Sequence, residues 1–182
     1  MILFKTERLI IKTLETEDQN LFFELFSDPK IIRLIPQLKI PENQLLERFS
    51  RNLNVTGSDL ITQKCDFGIF EIGNPEIIGL CSFLINDENE KEIGYRFRVA
   101  FWGKGYGTET TEAMIDYYFN VMHVDKVTAD VDIVNVGSVK ILSKFMTPLS
   151  EFFNERENCT DRRYQITRDQ WLKNGIAQYG NI

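Results

Sequence analysis

The chain has few of the residues that build metal sites and disulfide frameworks. It contains a single histidine, His123, and three cysteines, Cys65, Cys81 and Cys159, whose spacing matches no metal motif. An odd number of cysteines without that spacing predicts free thiols in a reducing compartment. We therefore expect no metal site, and we place His123 at a helix end or in a loop.

The sequence also lacks long apolar runs and an excess of basic residues. No run approaches the roughly 20 residues of a membrane span, and the first residues lack the features of a signal peptide. The net charge of −6 argues against a general nucleic-acid binder. We expect a cytoplasmic protein without membrane or nucleic-acid partners. A length of 182 residues predicts one domain over residues 1–182.

Glycine is concentrated in the segment 101–109, which reads FWGKGYGTE. Gly103, Gly105 and Gly107 stand at alternate positions, where they permit positive φ and a close approach of the backbone to a ligand. A strand-like segment (92–99) precedes the loop and a helix-like one (108–122) follows it. Because free N–H groups at a helix N-terminus favour an anion, the loop predicts a pyrophosphate cradle. A tight strand-to-helix turn also needs glycine and is the open alternative.

Two familiar phosphate motifs do not fit this loop. A P-loop requires Gly-Lys-Ser/Thr, but Gly105 is followed by Tyr106 and Gly107. The dinucleotide fingerprint requires a third glycine where Thr108 stands, and it belongs to an alternating parallel-sheet domain. The phosphate ligand is therefore expected to be neither a nucleoside triphosphate on a P-loop nor NAD.

Hydrophobic periodicity predicts an α/β fold with a mixed, mostly antiparallel sheet flanked by helices. Three consecutive strands precede the glycine loop, and the loop separates the strands at 92–99 and 127–134. The predicted strands are 6–14, 65–71, 76–85, 92–99, 127–134, 149–156 and 163–167. The predicted helices follow Thr16, Lys30, Pro41, Thr108 and Asn135, and residues 158–161 form the last hairpin loop.

Several segments, in this order, resemble the GNAT family of N-acetyltransferases, most closely the branch of ribosomal-protein N-terminal acetyltransferases (RimJ/RimL-like). They are Thr6-Glu7-Arg8-Leu9, Leu25-Phe26-Ser27-Asp28-Pro29, Glu92-Ile93-Gly94-Tyr95, the loop from Trp102 to Glu109, Asn135-Val136-Gly137-Ser138 and the segment 166–171. The resemblance covers nearly the whole chain. It implies the GNAT fold, in which the fourth and fifth strands splay apart and open a cleft for an acyl-CoA thioester.

The resemblance also implies a set of residues that bind acetyl-CoA. Backbone amides would hold the pyrophosphate, at Gly103, Lys104, Gly105, Tyr106, Gly107 and Thr108. The pantetheine arm would lie beside the strand at Phe97, Arg98 and Val99, where backbone N–H groups would also polarise the thioester carbonyl. Asn135 would contact the pantetheine or cap the following helix.

Acyl transfer to an amine requires a base and a proton donor for the thiolate. Glu92 is the base candidate, with a solvated hairpin carboxylate as the alternative. Many family members donate the proton from a tyrosine at the position of Leu142, and Ser138 is the candidate that replaces it here. Helix capping or a CoA contact would explain Ser138 equally well. Tyr95 is interpreted as core and Tyr106 as loop packing.

The chain departs from the family pattern in two places. The helix after Asn135 ends in Lys144-Phe145-Met146-Thr147-Pro148, without the usual glycine, so Pro148 is expected to end it. Arg96 and Arg98 fall on one side of their strand. They would face phosphates of the acyl donor, an acidic acceptor or solvent.

The sequence thus predicts an acetyl-CoA-dependent N-acetyltransferase that acts by direct attack in a ternary complex. The acceptor is a primary amine, either a protein N-terminus or a small molecule, and the protein is a monomer or homodimer. A catalytically weak CoA-binding regulator or sensor is the alternative, since the family tyrosine is missing. A pure interaction domain would leave the glycine loop unexplained.

Overall fold

A computed structural model describes residues 1–179 of the chain. The strands are β1 (Ile2–Lys5), β2 (Leu9–Lys12), β3 (Cys65–Glu71), β4 (Ile77–Ile85), β5 (Lys91–Phe97), β6 (Lys126–Asp132), β7 (Thr147–Asn154) and β8 (Cys159–Thr167). The helices are α1 (Gln19–Ser27), α2 (Pro29–Ile32), α3 (Glu42–Leu53), α4 (Asp59–Thr62), α5 (Tyr106–Asn120), α6 (Val136–Phe145) and α7 (Arg168–Tyr179). Short 3-10 turns cover Thr16–Asp18 and Val99–Phe101.

The strands form one mixed sheet in the order β1-β2-β3-β4-β5-β6-β8-β7. The neighbours pair antiparallel except for β5 and β6, which run parallel and share a single registered pair, Glu92 opposite Thr128. The sheet therefore opens between β5 and β6, as the sequence predicts. The parallel direction follows from the crossover through α5, which returns the chain to the end of the sheet where β5 began.

Both faces of the sheet are covered, and each face has its own apolar core. One cluster joins the sheet to α5 through Met114, Ile115, Tyr118 and Phe119. The other joins it to α1 and α3 and includes Phe22, Leu25, Phe26, Leu45 and Phe49. This arrangement fixes the site, because side chains along β5 alternate between the α5 face and the α1 face.

Most predicted boundaries differ from the structure by one or two residues, and three differ by more. The predicted first strand (6–14) is two strands, because the chain turns back at Thr6–Arg8 to pair β1 with β2. Helix α6 ends at Phe145, and Pro148 already lies in β7 on the edge of the sheet. An edge strand tolerates proline because one side of its backbone needs no ladder bond. The last hairpin turns at 155–158, so Cys159 lies in β8.

The remaining predictions of local chemistry fit the described residues. His123 follows the end of α5 with φ 55°. The three cysteines are free thiols, and burial raises the pKa of Cys65 to about 11. Within residues 1–179, no helix is both long enough and apolar enough to cross a membrane.

Candidate active site

The opening between β5 and β6 connects two cavities. The larger, of about 930 Å³, lies on the α1 and α3 side, and the smaller, of about 500 Å³, lies against the glycine loop and α6. Six residues line both: Leu34, Ile35, Tyr95, Arg96, Asn135 and Ser138. The site is therefore a passage through the sheet, and these six residues mark the point where the two cavities meet.

The glycine loop has the predicted backbone geometry at two of its three glycines, whereas Gly107 lies in α5 without positive φ. Gly103 has φ 73° and Gly105 has φ 84°, both in the left-handed region that side chains avoid. Gly105 is the N-cap of α5, so the free N–H groups of this 15-residue helix point out of the loop. A Cβ at Gly107 would lie 2.8 Å from Cδ1 of Ile141, so this glycine allows α6 to pack closely against α5.

Side chains around the loop hold its shape. The Lys104 carbonyl accepts a hydrogen bond from Nη1 of Arg8 at 2.9 Å, while the Lys104 ammonium lies 4.7 Å from the ring centroid of Phe101. The Tyr106 hydroxyl donates to Glu71. Thr108 lines the smaller cavity. No pattern in the sequence indicates that Arg8, about 100 residues away, anchors this loop.

The end of β5 presents one backbone edge to the opening. The Arg98 amide donates to the Ile78 carbonyl of β4 at 2.9 Å. Since successive peptide groups alternate in direction, the Phe97 groups point to the opposite edge. There the Phe97 carbonyl accepts a hydrogen bond from Nε1 of Trp102 at 2.8 Å. The Phe97 backbone therefore faces the opening, and Trp102 already occupies its carbonyl at this edge.

Arg98 and Val99 lie beyond that edge. The Arg98 guanidinium pairs with Glu24 at 3.3 Å and Glu76 at 3.1 Å. Neither its amide nor its side chain faces the opening, so Arg98 is not part of the site that we propose. Val99 begins the 3-10 turn that leads into the loop.

Glu92 stands where β5 and β6 part. Burial raises the pKa of its carboxyl to about 7, and the neighbouring Asp130 carboxylate adds to the rise. Arg163 opposes it, but this guanidinium already binds Asp130 through two hydrogen bonds of 2.9 and 2.8 Å. A carboxyl with a pKa near 7 in a cavity is suited to accept a proton at neutral pH.

Asn135 and Ser138 begin α6 at the other wall of the opening. The Asn135 Oδ1 caps the helix by accepting from the Ser138 amide at 3.1 Å, and its Nδ2 donates to the Leu34 carbonyl at 3.0 Å. The capping interpretation of Asn135 is therefore correct, and the residue also ties α6 to the chain after α2. This leaves the Ser138 hydroxyl on the first turn of α6, facing both cavities.

Tyr95 places a hydroxyl in the site, although the sequence predicts a core position for this residue. Its hydroxyl is buried and has no hydrogen-bond partner among the described residues. Burial raises the pKa of this phenol, and the nearby Ser138 and Thr111 hydroxyls oppose the rise. Leu142, at the position of the family tyrosine, is buried. The phenol at this point of the site therefore belongs to β5, and α6 carries no tyrosine.

The sequence of this chain matches a known protein family and several relatives. A family model described as "Acetyltransferase (GNAT) domain" matches residues 8–145. The chain is 27% identical to the "Uncharacterized N-acetyltransferase p20" of Bacillus licheniformis, over 94% of this chain and 97% of that protein. It is 31% identical to the "Uncharacterized protein YkkB" of Bacillus subtilis, over 76% of this chain and 81% of the relative.

Solved structures share the fold. A GNAT-family acetyltransferase from Bacillus anthracis superposes with a TM-score of 0.75 at 24% identity, covering 93% of this chain and 99% of that one. Spermidine N-acetyltransferase from Vibrio cholerae, in complex with CoA and spermine, superposes with a TM-score of 0.74 at 17% identity, covering 92% and 99%. At these identities the likeness shows the fold alone.

Proposed function

The chain belongs to the GNAT family of N-acetyltransferases, and from this premise we propose that it transfers the acetyl group of acetyl-CoA to a primary amine. The observation that carries the proposal is the opening of the sheet directly after Glu92. The glycine loop lies at one mouth of this opening and the larger cavity at the other. Two substrates can therefore meet at the Glu92 end of the passage from opposite sides.

The smaller cavity fits the donor. The α5 N-terminus supplies free N–H groups for the pyrophosphate, and a Cβ at Gly103 would meet no atom within 4 Å, so the loop surface is open there. Residues Gly103, Lys104, Gly105, Tyr106, Gly107 and Thr108 form this end of the site. The uncharged pantetheine would follow the Phe97 edge of β5 towards Ser138. The thioester supplies the activated acetyl group.

The chain's own residues would move the protons. Glu92 removes a proton from the acceptor ammonium, directly or through a water, because its pKa near 7 leaves about half of it ionised at neutral pH. The neutral amine then attacks the thioester carbonyl. Backbone N–H groups on the open edge of β5 stabilise the negative charge that develops on the carbonyl oxygen.

The departing thiolate needs a proton donor on the α6 side. Ser138 lies there, and the buried Tyr95 phenol lies close enough to influence it. We propose that Ser138 donates a hydrogen bond to the thiolate and relays to it the proton that the attacking nitrogen loses, and that Tyr95 orients the Ser138 hydroxyl. Asn135 supports this arrangement as a positioning residue, since its cap fixes the first turn of α6.

A specific observation favours a second candidate, a catalytically weak CoA-binding regulator. Leu142 fills the position of the family tyrosine with a buried apolar side chain. Such a protein would retain the loop and the smaller cavity but would not turn over. The two candidates differ in one measurable product, the free thiol of CoA.

The primary amine that accepts the acetyl group is proposed to be either a small molecule or a protein N-terminus. A cavity of about 930 Å³ accommodates either a small amine or an extended protein N-terminus, as the ribosomal-protein branch would require. The spermine in the Vibrio cholerae structure is bound by a protein that is 17% identical to this chain, so it does not identify the acceptor here. The class of acceptor therefore has to follow from the side chains that line the larger cavity.

The test is release of free thiol from acetyl-CoA in the presence of a panel of amines, with calorimetric titration of CoA as a second measurement. Turnover with any amine above the hydrolysis background supports the transferase. Binding of CoA without turnover on the whole panel supports the regulator, and absence of CoA binding contradicts both.

A further inference from the structure

The larger cavity contains a half-buried cation that the proposed mechanism does not use. Arg96 lies on the same face of β5 as Glu92, with Gly94 between them. Four residues of strand separate their Cα atoms by about 13 Å. Gly94 lines the same cavity, where the Leu84 side chain packs against it: a Cβ at Gly94 would lie 3.1 Å from Cδ1 of Leu84.

The Arg96 guanidinium has only neutral partners among the described residues. Its Nη1 donates to the Leu25 carbonyl and to Oε1 of Gln37, both at 3.1 Å. The group stacks on Phe26, with Cζ 4.0 Å from the ring centroid. Within residues 1–173, no carboxylate lies within ion-pair distance of it, and its Nε and Nη2 make no hydrogen bond.

The Asp66 carboxylate partly offsets the charge of Arg96, but it already accepts hydrogen bonds from other residues. Asp66 accepts two hydrogen bonds from Arg48, at 2.6 and 2.9 Å. It accepts two more, from Asn52 at 3.0 Å and from Ser82 at 2.6 Å. This cluster of two guanidinium ions and one carboxylate therefore leaves one positive charge without a counter-ion.

An unpaired buried charge is costly, so its retention in a cavity points to a ligand of opposite charge. Burial and the neighbouring Arg48 lower the pKa of Arg96 to about 10, which still leaves it charged at neutral pH. Arg98, two residues along the chain, is paired with Glu24 and Glu76 and shows how such a side chain is neutralised here.

We propose that Arg96 binds a carboxylate of the acceptor, so that the preferred acceptor is an amine that also carries a carboxylate. This inference rests on the proposed function. The guanidinium fork matches the two oxygens of a carboxylate, and Gln37 and Phe26 hold it in place. Glu92 receives the amine end of the same molecule. The CoA phosphates belong to the glycine loop, and the pantetheine that would lie closer to Arg96 is uncharged.

The test compares amino acids with matched amines that lack the carboxylate. The acceptors are glycine, β-alanine, 4-aminobutyrate and 6-aminohexanoate, against methylamine, ethylamine, propylamine and pentylamine. Thiol release gives kcat/KM for each, corrected for the ionisation of the amine. We expect at least one amino acid to exceed its matched amine by about ten- to a hundredfold, mainly through KM.

The variant Arg96→Gln should reduce that preference to about one while changing turnover of the amines that lack a carboxylate by no more than a few-fold. Arg96→Lys keeps the charge without the fork and should retain part of the preference. Arg98→Gln, one residue beyond the end of β5, is the matched control, and it should retain all of it. Thermal unfolding of each variant shows whether it is folded.

The failures of the two proposals can be told apart. Turnover of amines with no preference for a carboxylate, or a preference that persists in Arg96→Gln, overturns the inference and leaves the transferase intact. If no amine turns over, hexanoate and hexanamide are titrated into the CoA complex. Binding of hexanoate alone, lost in Arg96→Gln, then supports the anion site although the transferase fails, and equal binding of the two overturns it.

Discussion

Arg8 binds Glu109 through both its backbone and its side chain, although about 100 residues separate them. Its amide donates to Oε1 of Glu109 at 2.9 Å, and its Nε donates to Oε2 at 2.7 Å. The Thr6 hydroxyl donates to the same carboxylate at 2.5 Å. The turn between β1 and β2 thereby holds the first turn of α5, and with it the glycine loop.

The first prediction concerns this anchor. Glu109→Ala should lower the free energy of unfolding by about 1–3 kcal/mol, because three charge-assisted hydrogen bonds are lost. It should also weaken acetyl-CoA binding several-fold, since the loop is no longer held. Denaturant unfolding and calorimetry measure the two effects. Glu112→Ala, exposed on the next turn of α5, is the control, and equal losses in both variants would contradict the anchoring role.

The second prediction separates backbone strain from ligand approach at Gly105. Gly105→Ala and Gly73→Ala both place a side chain at positive φ, and each should cost about 1 kcal/mol of stability. Gly105→Ala alone should reduce acetyl-CoA affinity by tenfold or more, because its Cβ would lie 3.3 Å from Nη2 of Arg8, which holds the loop proposed to bind the pyrophosphate. Gly73 lines neither cavity. Unchanged acetyl-CoA affinity in folded Gly105→Ala would show that the loop does not bind CoA.

The third prediction is the pH dependence of turnover. The wild-type rate should rise as the pH passes about 7, because Glu92 then becomes the carboxylate that accepts the proton. Glu92→Gln should lose this inflection and turn over about ten- to a thousandfold more slowly near neutrality, with acetyl-CoA affinity little changed. At higher pH, where the amine deprotonates by itself, the variant should partly recover. A Glu92→Gln enzyme with full activity at pH 7 would exclude Glu92 as the base.

The fourth prediction is a gain of stability in the same variant. The pKa of Glu92 is higher in the folded chain, about 7, than its ordinary value of 4.5, so folding favours the protonated form. Stability should therefore fall as the pH rises from 4.5 to 7 and then level off. Glu92→Gln should be more stable than wild type above pH 7 by up to roughly 3 kcal/mol, and equally stable below pH 4.5. Thermal unfolding across pH measures the difference, and a constant difference from acid to neutral pH would argue against the raised pKa.

The fifth prediction concerns the leaving group. Ser138→Ala should lower kcat by no more than about tenfold, because water can replace a hydroxyl and a thiolate is already a fair leaving group. Ser143→Ala, on the same helix with its hydroxyl against Tyr164 at 3.1 Å, should leave kcat unchanged. Steady-state thiol release compares the two. Equal rates in wild type and Ser138→Ala would mean that solvent, and not Ser138, protonates the thiolate.

Local patterns determined much of this protein. Alternation along 127–134 predicted β6 nearly to the residue, because successive side chains of a strand point to opposite faces. The glycines at 103 and 105 predicted positive φ, since other residues rarely adopt it. The position of Glu92, at the start of the strand beside the glycine loop, was enough to nominate the base.

Long-range contacts decided the rest. The sequence shows Arg96 and Arg98 as equivalent charges, and only the folded chain pairs Arg98 with Glu24 and Glu76 while leaving Arg96 without an anion among the described residues. The same holds for the Tyr95 phenol, whose burial without a described partner depends on α5 and α6 together. Burial and charge at a point depend on everything that packs around it, and residues distant in sequence supply most of those neighbours.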